Sequence, residues 1–384
     1  MVIIKEVTTK SDLKRFVKFG NEIYKGNSYY VPSLINDDMK TLDREANPAF
    51  EVCESIYFLA LRDGKIVGRI AGIINNRANE VWKEKNARFG FLEFIDDAEV
   101  CDALFDAVEK WAVGKGMVAL QGPLGFTDMD KEGMLIEGFD QLGTIATIYN
   151  HPYYPKHMER MGFVKDADWL EFKIYIPDSV PEKHIRIGEI VKKKYGLKVV
   201  KFNSLKEVMP YAHRVFETLN AAYAPLFGFA PLTERQIDYY IKMYFPLLNL
   251  KLVTLIVREA DDAVAGFGIT LPNLSHSMQK ANGSLFPFGW FWLLKELKSK
   301  PKVVDLYLMG VLPEYSHKGV NALLFNDLIP VYQQLGVEYA ESNVELETNV
   351  SVQSQWEYFH REHHKTRRSY IKKLTNDNIQ QTEE

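Results

Sequence analysis

The chain has 384 residues, of which 46% are hydrophobic and 26% charged, and its formal net charge is −4. This length suits two hydrophobic cores better than one, and the balance is that of a globular rather than a disordered protein. The small negative charge argues against a nucleic-acid-binding surface. Two cysteines indicate a reducing compartment without structural disulfides. No signal peptide opens the sequence, and residues 285–294, the most apolar stretch, are too short to span a bilayer. We therefore expect a cytoplasmic protein with neither a nucleic-acid nor a membrane partner.

The sequence contains the same plan twice. Residues 55–76 predict a β-hairpin around Asp63-Gly64, and residues 252–273 predict another around Asp261-Asp262. The helical pattern of residues 103–117 likewise recurs at residues 322–337. Such self-similarity indicates two copies of one structural unit.

In chain order, the first copy predicts alternating strands and helices. The strands are expected at residues 2–7, 56–74 (the hairpin), 88–95, 118–121 and 169–176, and the helices at residues 11–24, 99–113 and 153–163. Residues 122–147 are glycine-rich and predict a long irregular loop, for which one interpretation is a lid over a pocket. Pro177 and Pro181 bracket a plausible domain boundary.

The second copy continues the alternation. Its helices are expected at residues 182–195, 205–223, 233–245, 319–335 and 349–360, and its strands at residues 197–202, 252–273, 303–311, 337–344 and 369–374. The predicted fold class is α/β, with two tandem domains that each hold a mixed twisted sheet flanked by helices. We place these domains at residues 1–177 and 182–375, followed by a polar tail at residues 376–384.

Residues 305–329 carry the sharpest chemical signal. They predict a strand, a turn that contains Gly319, and a helix. The first amides of such a helix lack intrahelical partners, so they can bind phosphate. Gly319 permits close approach of the backbone, and His317 or Lys318 supplies positive charge. An ordinary strand–turn–helix connection is the alternative explanation.

The order of elements in both halves resembles the GNAT superfamily of acyl-CoA-dependent N-acyltransferases. That family's pyrophosphate motif runs Val-x-Pro, then Arg or Gln-x-x-Gly-x-Gly or Ala. Val311 and Pro313 fit its opening and Gly319 fits its first glycine, whereas Ser316 and Asn321 depart from it. The resemblance implies acetyl-CoA or another acyl-CoA as the donor. The residues expected to bind it are Val311, Ser316, His317, Lys318, Gly319, Val320, Asn321, Ala322 and Asn349.

The family's chemistry requires a base for the amine and an acid, usually a tyrosine, for the departing thiolate. The aligned position is Trp356, and Tyr358 lies about 200° further round a helix. We predict Tyr358, Glu341, Asp305 and Tyr307 as catalytic residues, although each has an ordinary structural explanation too.

The first copy lacks the phosphate turn. Asp96, Asp97 and Glu99 stand where helix amides would receive pyrophosphate, so the second copy is expected to bind the donor. Tyr223 to Phe229 form either an acceptor-side wall or part of the core. His360, His363 and His364 predict a solvated basic turn rather than a metal site. The aromatic residues 286–292 predict a substrate wall, a dimer contact or a buried helix.

The preferred interpretation is a tandem GNAT-like N-acyltransferase with a small-molecule or peptide amine as acceptor. One alternative is a non-catalytic GNAT-like protein that binds a ligand or partner, which the departures at Ser316 and Trp356 favour. Another keeps catalysis but uses a fatty-acyl-CoA or aminoacyl-tRNA donor, and the net charge weighs against the tRNA. The sequence does not specify the oligomeric state.

Overall fold

The structure is a computed structural model that describes residues 1–374; the tail expected at residues 376–384 lies outside the described residues. The chain forms two compact units. Of the described residues, the first unit contains Met1–Trp169, Ser275–Trp292 and residues 365–374, and the second contains Leu170–Leu274 and Leu293–His364. Each expected domain therefore gives part of its chain to the other unit, so a single cut between residues 177 and 182 does not separate them.

The strands alternate with helices along both halves. The strands are β1 (Ile3–Glu6), β2 (Cys53–Arg62), β3 (Lys65–Asn75), β4 (Asn86–Phe94), β5 (Ala119–Gly122), β6 (Met134–Glu137), β7 (Val164–Tyr175), β8 (Leu197–Val200), β9 (Val253–Arg258), β10 (Val264–Pro272), β11 (Val303–Val311), β12 (Tyr339–Ser342), β13 (Glu345–Leu346) and β14 (Arg361–Lys373). The α-helices are α1 (Lys10–Glu22), α2 (Ile35–Thr41), α3 (Asn76–Trp82), α4 (Ala98–Gly114), α5 (Tyr153–Arg160), α6 (Glu182–Tyr195), α7 (Leu205–Val208), α8 (Ala212–Tyr223), α9 (Glu234–Tyr244), α10 (Ser275–Ala281), α11 (Gly289–Leu297), α12 (Asn321–Leu335) and α13 (Val350–Gln353). Among residues 1–374, no helix combines the length and the apolar character needed to cross a bilayer.

The two units repeat one sheet topology. In the first unit β1, β2, β3 and β4 are antiparallel neighbours, and β5 then lies parallel to β4. In the second unit β8, β9, β10 and β11 are antiparallel neighbours, and β12 lies parallel to β11. The parallel pair is joined in each unit by a helix, α4 or α12, as a parallel connection requires. These shared pairings are the structural form of the sequence repeat.

The closing strands are exchanged between the repeats. The last strand of the chain, β14, pairs through Tyr370–Lys373 with β5 of the first unit. The end of β7, which closes the first repeat in sequence, pairs through residues 173–175 with β12 of the second unit. This exchange explains why the compact units differ from the expected domains.

Each crossover helix buries its apolar face on its own sheet. In the first unit Leu104, Phe105 and Val108 of α4 pack with Phe89 and Phe94 of β4. In the second unit Phe325, Leu328 and Ile329 of α12 pack with Val304 and Leu306 of β11. Full burial of side chains of this size stabilises a fold by about 1.5–3 kcal/mol each, so these contacts fix the position of both helices.

Several expected elements differ from the structure. The region 205–223 is not one helix, because a 3₁₀ turn at Met209–Tyr211, with Pro210 unable to donate an amide, separates α7 from α8. The helix expected at 349–360 is only α13 followed by the 3₁₀ helix Ser354–Tyr358, in keeping with the low helix propensity of its valines and serines. Residues 122–147 include β6, which pairs with β14, so this segment is not wholly irregular.

The region expected as a solvated basic turn is also different. Residues 361–368 form the first part of β14, and Lys365 and Arg367 are buried. Within the first unit the Lys365 ammonium donates to the Leu142 carbonyl at 3.3 Å, and the Arg367 guanidinium donates to the Ile148 carbonyl. Distant carbonyl groups therefore offset the cost of burying these charges.

Candidate active site

The second unit contains a parallel strand pair that separates partway along its length. Val303–Leu306 of β11 pair with Tyr339–Ser342, after which β12 ends while β11 continues to Val311. The pairing of β11 with β10 shifts register between Ile269 and Thr270, which leaves Tyr307 as the extra residue of a bulge. A bulge bends and twists its strand. The separation exposes one edge of β11 from Tyr307 onward.

Polar side chains occupy part of this open edge. The Tyr307 carbonyl accepts a hydrogen bond from Asn343 Nδ2 at 3.2 Å, and the Met309 carbonyl accepts one from the Tyr223 hydroxyl at 3.1 Å. The N–H and C=O of one residue in a strand point to the same side, so the Met309 amide also faces this edge. An amide in that position is a donor for a carbonyl oxygen laid against the strand.

A turn links β11 to α12. A 3₁₀ helix, Pro313–Tyr315, is followed by exposed Ser316, His317 and Lys318. Helix α12 begins without a side-chain cap. Within residues 1–374, the amides of Gly319, Val320 and Asn321 donate to no protein acceptor, whereas the Ala322 amide, also expected to bind phosphate, donates to the Gly319 carbonyl at 3.1 Å. Uncapped amides at the positive end of a helix are able to bind an anion.

The structure gives Gly319 a second role. Its φ of +78° is a left-handed conformation that favours glycine. A Cβ atom at this position would lie 2.7 Å from Cγ2 of Ile187 on α6. The glycine is therefore required by the turn and by the packing of α6, whether or not a phosphate binds there.

The charges near the turn are mostly positive. The ammonium groups of Lys318 and Lys194 each lie 5.3 Å from the centre of the Tyr195 ring. The nearby carboxylate of Glu314 lies 3.6 Å from the Arg258 guanidinium, which partly neutralises it. Lys318 directly precedes the uncapped amides in sequence and shares the Tyr195 ring with Lys194, so both positive charges add to the attraction for an anion at the turn.

Two carboxylates face each other across the parallel strands. Asp305 and Glu341 are paired in register, and they are only 7% and 5% exposed. Neighbouring strands lie roughly 4.8 Å apart and their side chains alternate between the two faces. Since Val304 and Leu306 pack under α12, Asp305 and Glu341 project from the opposite face.

A polar side chain lies beside each carboxylate. Asn273 Nδ2 donates to Asp305 Oδ1 at 2.7 Å, and His364 Nε2 lies 3.2 Å from Glu341 Oε2. Tyr307, half-buried, lies two residues beyond Asp305, and its ring is 5.8 Å from that of Tyr244. The structure thus places Asp305, Glu341 and Tyr307 near the point of strand separation. Such a group can hold an ammonium and accept its proton.

The tyrosine position of the expected motif is occupied by a buried tryptophan. Trp356 is 3% exposed, and its indole N–H donates to Glu345 Oε1 at 2.7 Å. Tyr358 is 47% exposed, and its hydroxyl and ring contact the Lys183 ammonium at the surface. Asn349 caps α13 by accepting from the Val352 amide at 3.3 Å. Tyr358 and Asn349 are therefore engaged in contacts separate from the carboxylate pair.

Glu345 is a titratable residue that the sequence reasoning missed. It follows Ser342, the last residue of β12, by three positions. Burial raises its pKa to about 7, against the opposing effects of the Trp356 indole and the Arg361 charge. A carboxyl group with that pKa can both hold and release a proton near neutral pH. No local motif distinguishes Glu345, because its environment is built by residues from other elements.

The corresponding position of the first unit is filled by its own side chains. The Tyr154 hydroxyl oxygen accepts from the Phe94 amide at 3.1 Å, and the Tyr153 hydroxyl donates to the Phe94 carbonyl at 2.5 Å. Asp97 caps α4 by accepting from the Val100 amide at 3.0 Å, and the Arg62 guanidinium beside it lowers the pKa of Asp97 to about 2. An ionised carboxylate at the helix start repels phosphate, so this terminus is not an anion site.

The loop after β5 in the first unit carries further carboxylates. Asp130 Oδ2 accepts hydrogen bonds from the Phe126 and Thr127 amides at 2.8 and 3.0 Å. Burial raises the pKa of Asp128 to about 7 and that of Asp130 to about 6, while the nearby Arg88 charge opposes the rise. The loop is therefore ordered around the Asp130 carboxylate, which accepts hydrogen bonds from the loop's own amides.

Comparison with known proteins places these features in a known fold. No protein-family model matches the chain. It is 29% identical over 379 residues to Protein YghO of Escherichia coli (strain K12), covering 97% of this chain and 95% of that protein. It is 27% identical over 377 residues to a bacterial ceramide synthase of Caulobacter vibrioides (strain NA1000 / CB15N), covering 96% of each.

A solved structure with a similar architecture covers nearly the whole chain. A tandem GNAT protein from the clavulanic acid biosynthesis pathway matches 98% of this chain and 99% of its own, with a TM-score of 0.55. Sequence identity in that match is 13%, so the likeness concerns the fold alone. The predicted fold class is confirmed, because the chain has the GNAT fold in tandem.

Proposed function

We propose that this protein is an N-acyltransferase that moves an acyl group from CoA to an amine in its second unit. The observation that supports this most directly is the meeting of three features at the separated strands β11 and β12. The edge of β11 is open, the start of α12 is uncapped, and β11 and β12 carry a buried carboxylate pair. Each suits one part of the reaction.

The donor is held from the turn to the strand edge. The amides of Gly319, Val320 and Asn321 bind the pyrophosphate of CoA, and Lys318 and Lys194 add positive charge. The thioester carbonyl lies against the Met309 amide, which stabilises negative charge on its oxygen during attack. Val311 ends the strand between these two regions.

The acceptor is activated at the carboxylate pair. Asp305 and Glu341 attract an ammonium, and one of these carboxylates, or His364 beside Glu341, accepts its proton. The free amine then attacks the carbonyl carbon, so a C–N bond forms, the C–S bond breaks, and the nitrogen loses its second proton to water. Thiolate protonation completes the reaction, and Glu345, with a pKa of about 7, can supply that proton in place of the missing tyrosine.

A sequence relative supports a proposal for the substrate class. A ceramide is the amide of a fatty acid with a long-chain amino alcohol, and a relative that spans nearly the whole chain is a bacterial ceramide synthase. We therefore propose a long-chain acyl-CoA as donor and a long-chain amino alcohol as acceptor. Acetyl-CoA and a small polar amine are the competing pair.

A direct assay separates these substrates. The protein is mixed with palmitoyl-CoA or acetyl-CoA and with sphinganine or ethanolamine, and released thiol and amide product are both measured. We expect thiol release with the amide of sphinganine as the product of the palmitoyl-CoA reaction. Turnover only with acetyl-CoA and ethanolamine would overturn the substrate class. No turnover in any combination would overturn the enzyme assignment for these classes.

Trp356 favours a second candidate function. The indole occupies the place of the expected tyrosine and its N–H is already bonded to Glu345. A protein that binds acyl-CoA without transferring it would tolerate this replacement. Binding of palmitoyl-CoA in calorimetry, combined with no thiol release for any amine, is the result that would favour this candidate.

A further inference from the structure

The first unit presents aromatic side chains to solvent on an ordered loop and on the first turn of α11. Phe286 and Phe288 are 75% and 72% exposed, and Trp290 and Phe291 are 45% and 48% exposed. The expectation of a buried helix in this segment is therefore wrong for these four residues. We call them the aromatic patch. Large exposed apolar groups gathered in one place mark a surface that binds another phase or molecule.

Internal hydrogen bonds hold this loop in shape. The Trp290 indole N–H donates to the Pro287 carbonyl at 3.0 Å, and the Ser284 hydroxyl donates to the Phe286 carbonyl at 2.8 Å. A Cβ atom at Gly289 would lie 2.0 Å from the Ser284 carbonyl oxygen, so the loop closes too tightly for another residue there. The exposed rings therefore lie on a segment that has a defined conformation.

The loop is also fixed to the helices of its own unit. The Ile35 amide donates to the Gly283 carbonyl at 2.9 Å. Gln279 Nε2 donates to the carbonyls of Ser28 and Tyr30 at 2.8 and 3.0 Å. These bonds anchor both the helix before the loop and the loop itself, so the exposed rings have a rigid support.

Positive charge borders the aromatic patch. Exposed Lys14 and Lys18 of α1 line the same surface recess as Leu285, at the start of the loop. The Lys280 ammonium lies 4.9 Å from the centre of the Trp292 ring. Residues 275–292 contain no aspartate or glutamate. Asp37, in the same recess, is the opposing charge.

We infer that the aromatic patch docks on the surface of an anionic lipid bilayer. Aromatic rings insert at the boundary between headgroups and acyl chains, while lysines around them bind anionic headgroups. This charge complementarity favours a bilayer over a neutral apolar partner. The proposal departs from the expectation of no membrane partner. It rests on exposure and charge in the first unit and does not depend on the acyl-transfer proposal.

Vesicle sedimentation tests the proposal on the full chain. The vesicles contain phosphatidylcholine alone, or phosphatidylcholine mixed with phosphatidylglycerol. We expect the protein to bind the mixed vesicles more tightly, with affinity falling as salt is added. Phe286→Ser with Phe288→Ser should weaken binding roughly tenfold or more. Lys14→Gln with Lys18→Gln should weaken binding to the mixed vesicles by roughly fivefold for each lysine and reduce the salt dependence.

A matched control removes exposed apolar groups elsewhere. Ile185 and Ile190 of α6 are also exposed, so Ile185→Ser with Ile190→Ser should leave vesicle binding unchanged. Thermal unfolding of every variant checks that the fold is kept. The proposal is overturned if the natural protein binds neither kind of vesicle, or if the phenylalanine variant binds as tightly as the natural protein. A dimer that the phenylalanine variant converts to a monomer, without vesicle binding, would assign the patch to a second copy instead.

Discussion

The Trp356 indole N–H donates a hydrogen bond of 2.7 Å to Glu345 Oε1 inside the core of the second unit. This contact joins the position where the GNAT resemblance leads us to expect a tyrosine to a carboxyl group whose pKa burial raises to about 7. The tryptophan cannot donate a proton to a thiolate, because its N–H does not ionise near neutral pH. Glu345 therefore becomes the titratable group at this position.

Replacement of Glu345 by glutamine should change how stability depends on pH. The folded-state pKa of Glu345 is raised from 4.5 to about 7, so the folded protein binds more protons than the unfolded chain between these values. Stability therefore falls as pH rises from 4.5 to about 7. Glu345→Gln removes this loss, so its stability relative to the natural protein should increase by about 2–3 kcal/mol between pH 4.5 and pH 8.

Urea unfolding across that pH range measures the difference. Glu357→Gln is the matched control, because Glu357 is exposed and lies on the same 3₁₀ helix as Trp356. The control should track the natural protein at every pH. A Glu345→Gln difference that does not vary with pH would contradict the raised pKa.

Loss of one carboxylate from the facing pair should impair the chemical step more than donor binding. Asp305→Asn retains an oxygen that can accept from Asn273, and Glu341→Gln retains a group of the same size beside His364. Each change removes a charge that attracts the amine and can accept its proton. We expect kcat/KM for the amine to fall by roughly 10²–10⁴, with the Kd for acyl-CoA within about twofold.

Paired kinetic and calorimetric measurements on each variant check this expectation. Glu338→Gln provides a control, because Glu338 lies in the same region of sequence but its carboxylate is exposed and pairs with Lys302 at 2.8 Å. Unchanged turnover in both Asp305→Asn and Glu341→Gln would remove the pair from the catalytic mechanism.

Reversal of the charge at Lys318 should weaken CoA binding. The exposed ammonium stands beside the three uncapped amides, so a carboxylate there would repel pyrophosphate. We expect Lys318→Glu to raise the Kd for CoA by roughly tenfold, which corresponds to about 1.4 kcal/mol, and to reduce the dependence of Kd on salt. Calorimetry at two salt concentrations gives both quantities. Lys206→Glu, at an exposed residue of α7, makes the same change in net charge and should leave the Kd unchanged.

The sequence predicted those parts of the fold that short-range patterns specify. Asp63 and Gly64, both with positive φ, form the turn between β2 and β3, and the strand expected at 303–311 has these bounds in the structure. Thr233 and Gln236 form both hydrogen bonds of a capping box at the start of the helix expected at 233–245. In each case the signal and the structure lie within a few residues of one another, so local chemistry was sufficient.

The remaining differences depend on distant partners. From the sequence alone, the charged residues Lys365 and Arg367 are typical of a solvated turn. In the structure they are buried, because their side chains donate hydrogen bonds to the distant carbonyls of Leu142 and Ile148. The exchange of β7 and β14 likewise changes no local pattern, because a strand has the same sequence whichever sheet it joins. Glu345 was missed for the same reason, since three-dimensional burial raises its pKa. The uncapped amides at residues 319–321, in contrast, lie where the glycine turn indicated them.

Gly319→Ala should destabilise the protein without any ligand. The residue has φ of +78°, and its added methyl would lie 2.7 Å from Ile187 Cγ2, so both backbone strain and a steric clash oppose the change. We expect a loss of about 1–3 kcal/mol in the free energy of unfolding.

Ile187→Ala in the same chain makes room for the methyl, so the double variant should be less destabilised than the sum of the two single changes. The backbone strain would remain. Urea unfolding of the four proteins gives the coupling energy, and strict additivity would show that the contact with α6 does not require glycine. Alanine keeps the backbone amide of residue 319, so we expect the Kd of the folded double variant for CoA to stay within about threefold of that of the natural protein, a difference below 1 kcal/mol. Such a result would show that the phosphate site needs the amide and not the absence of a side chain.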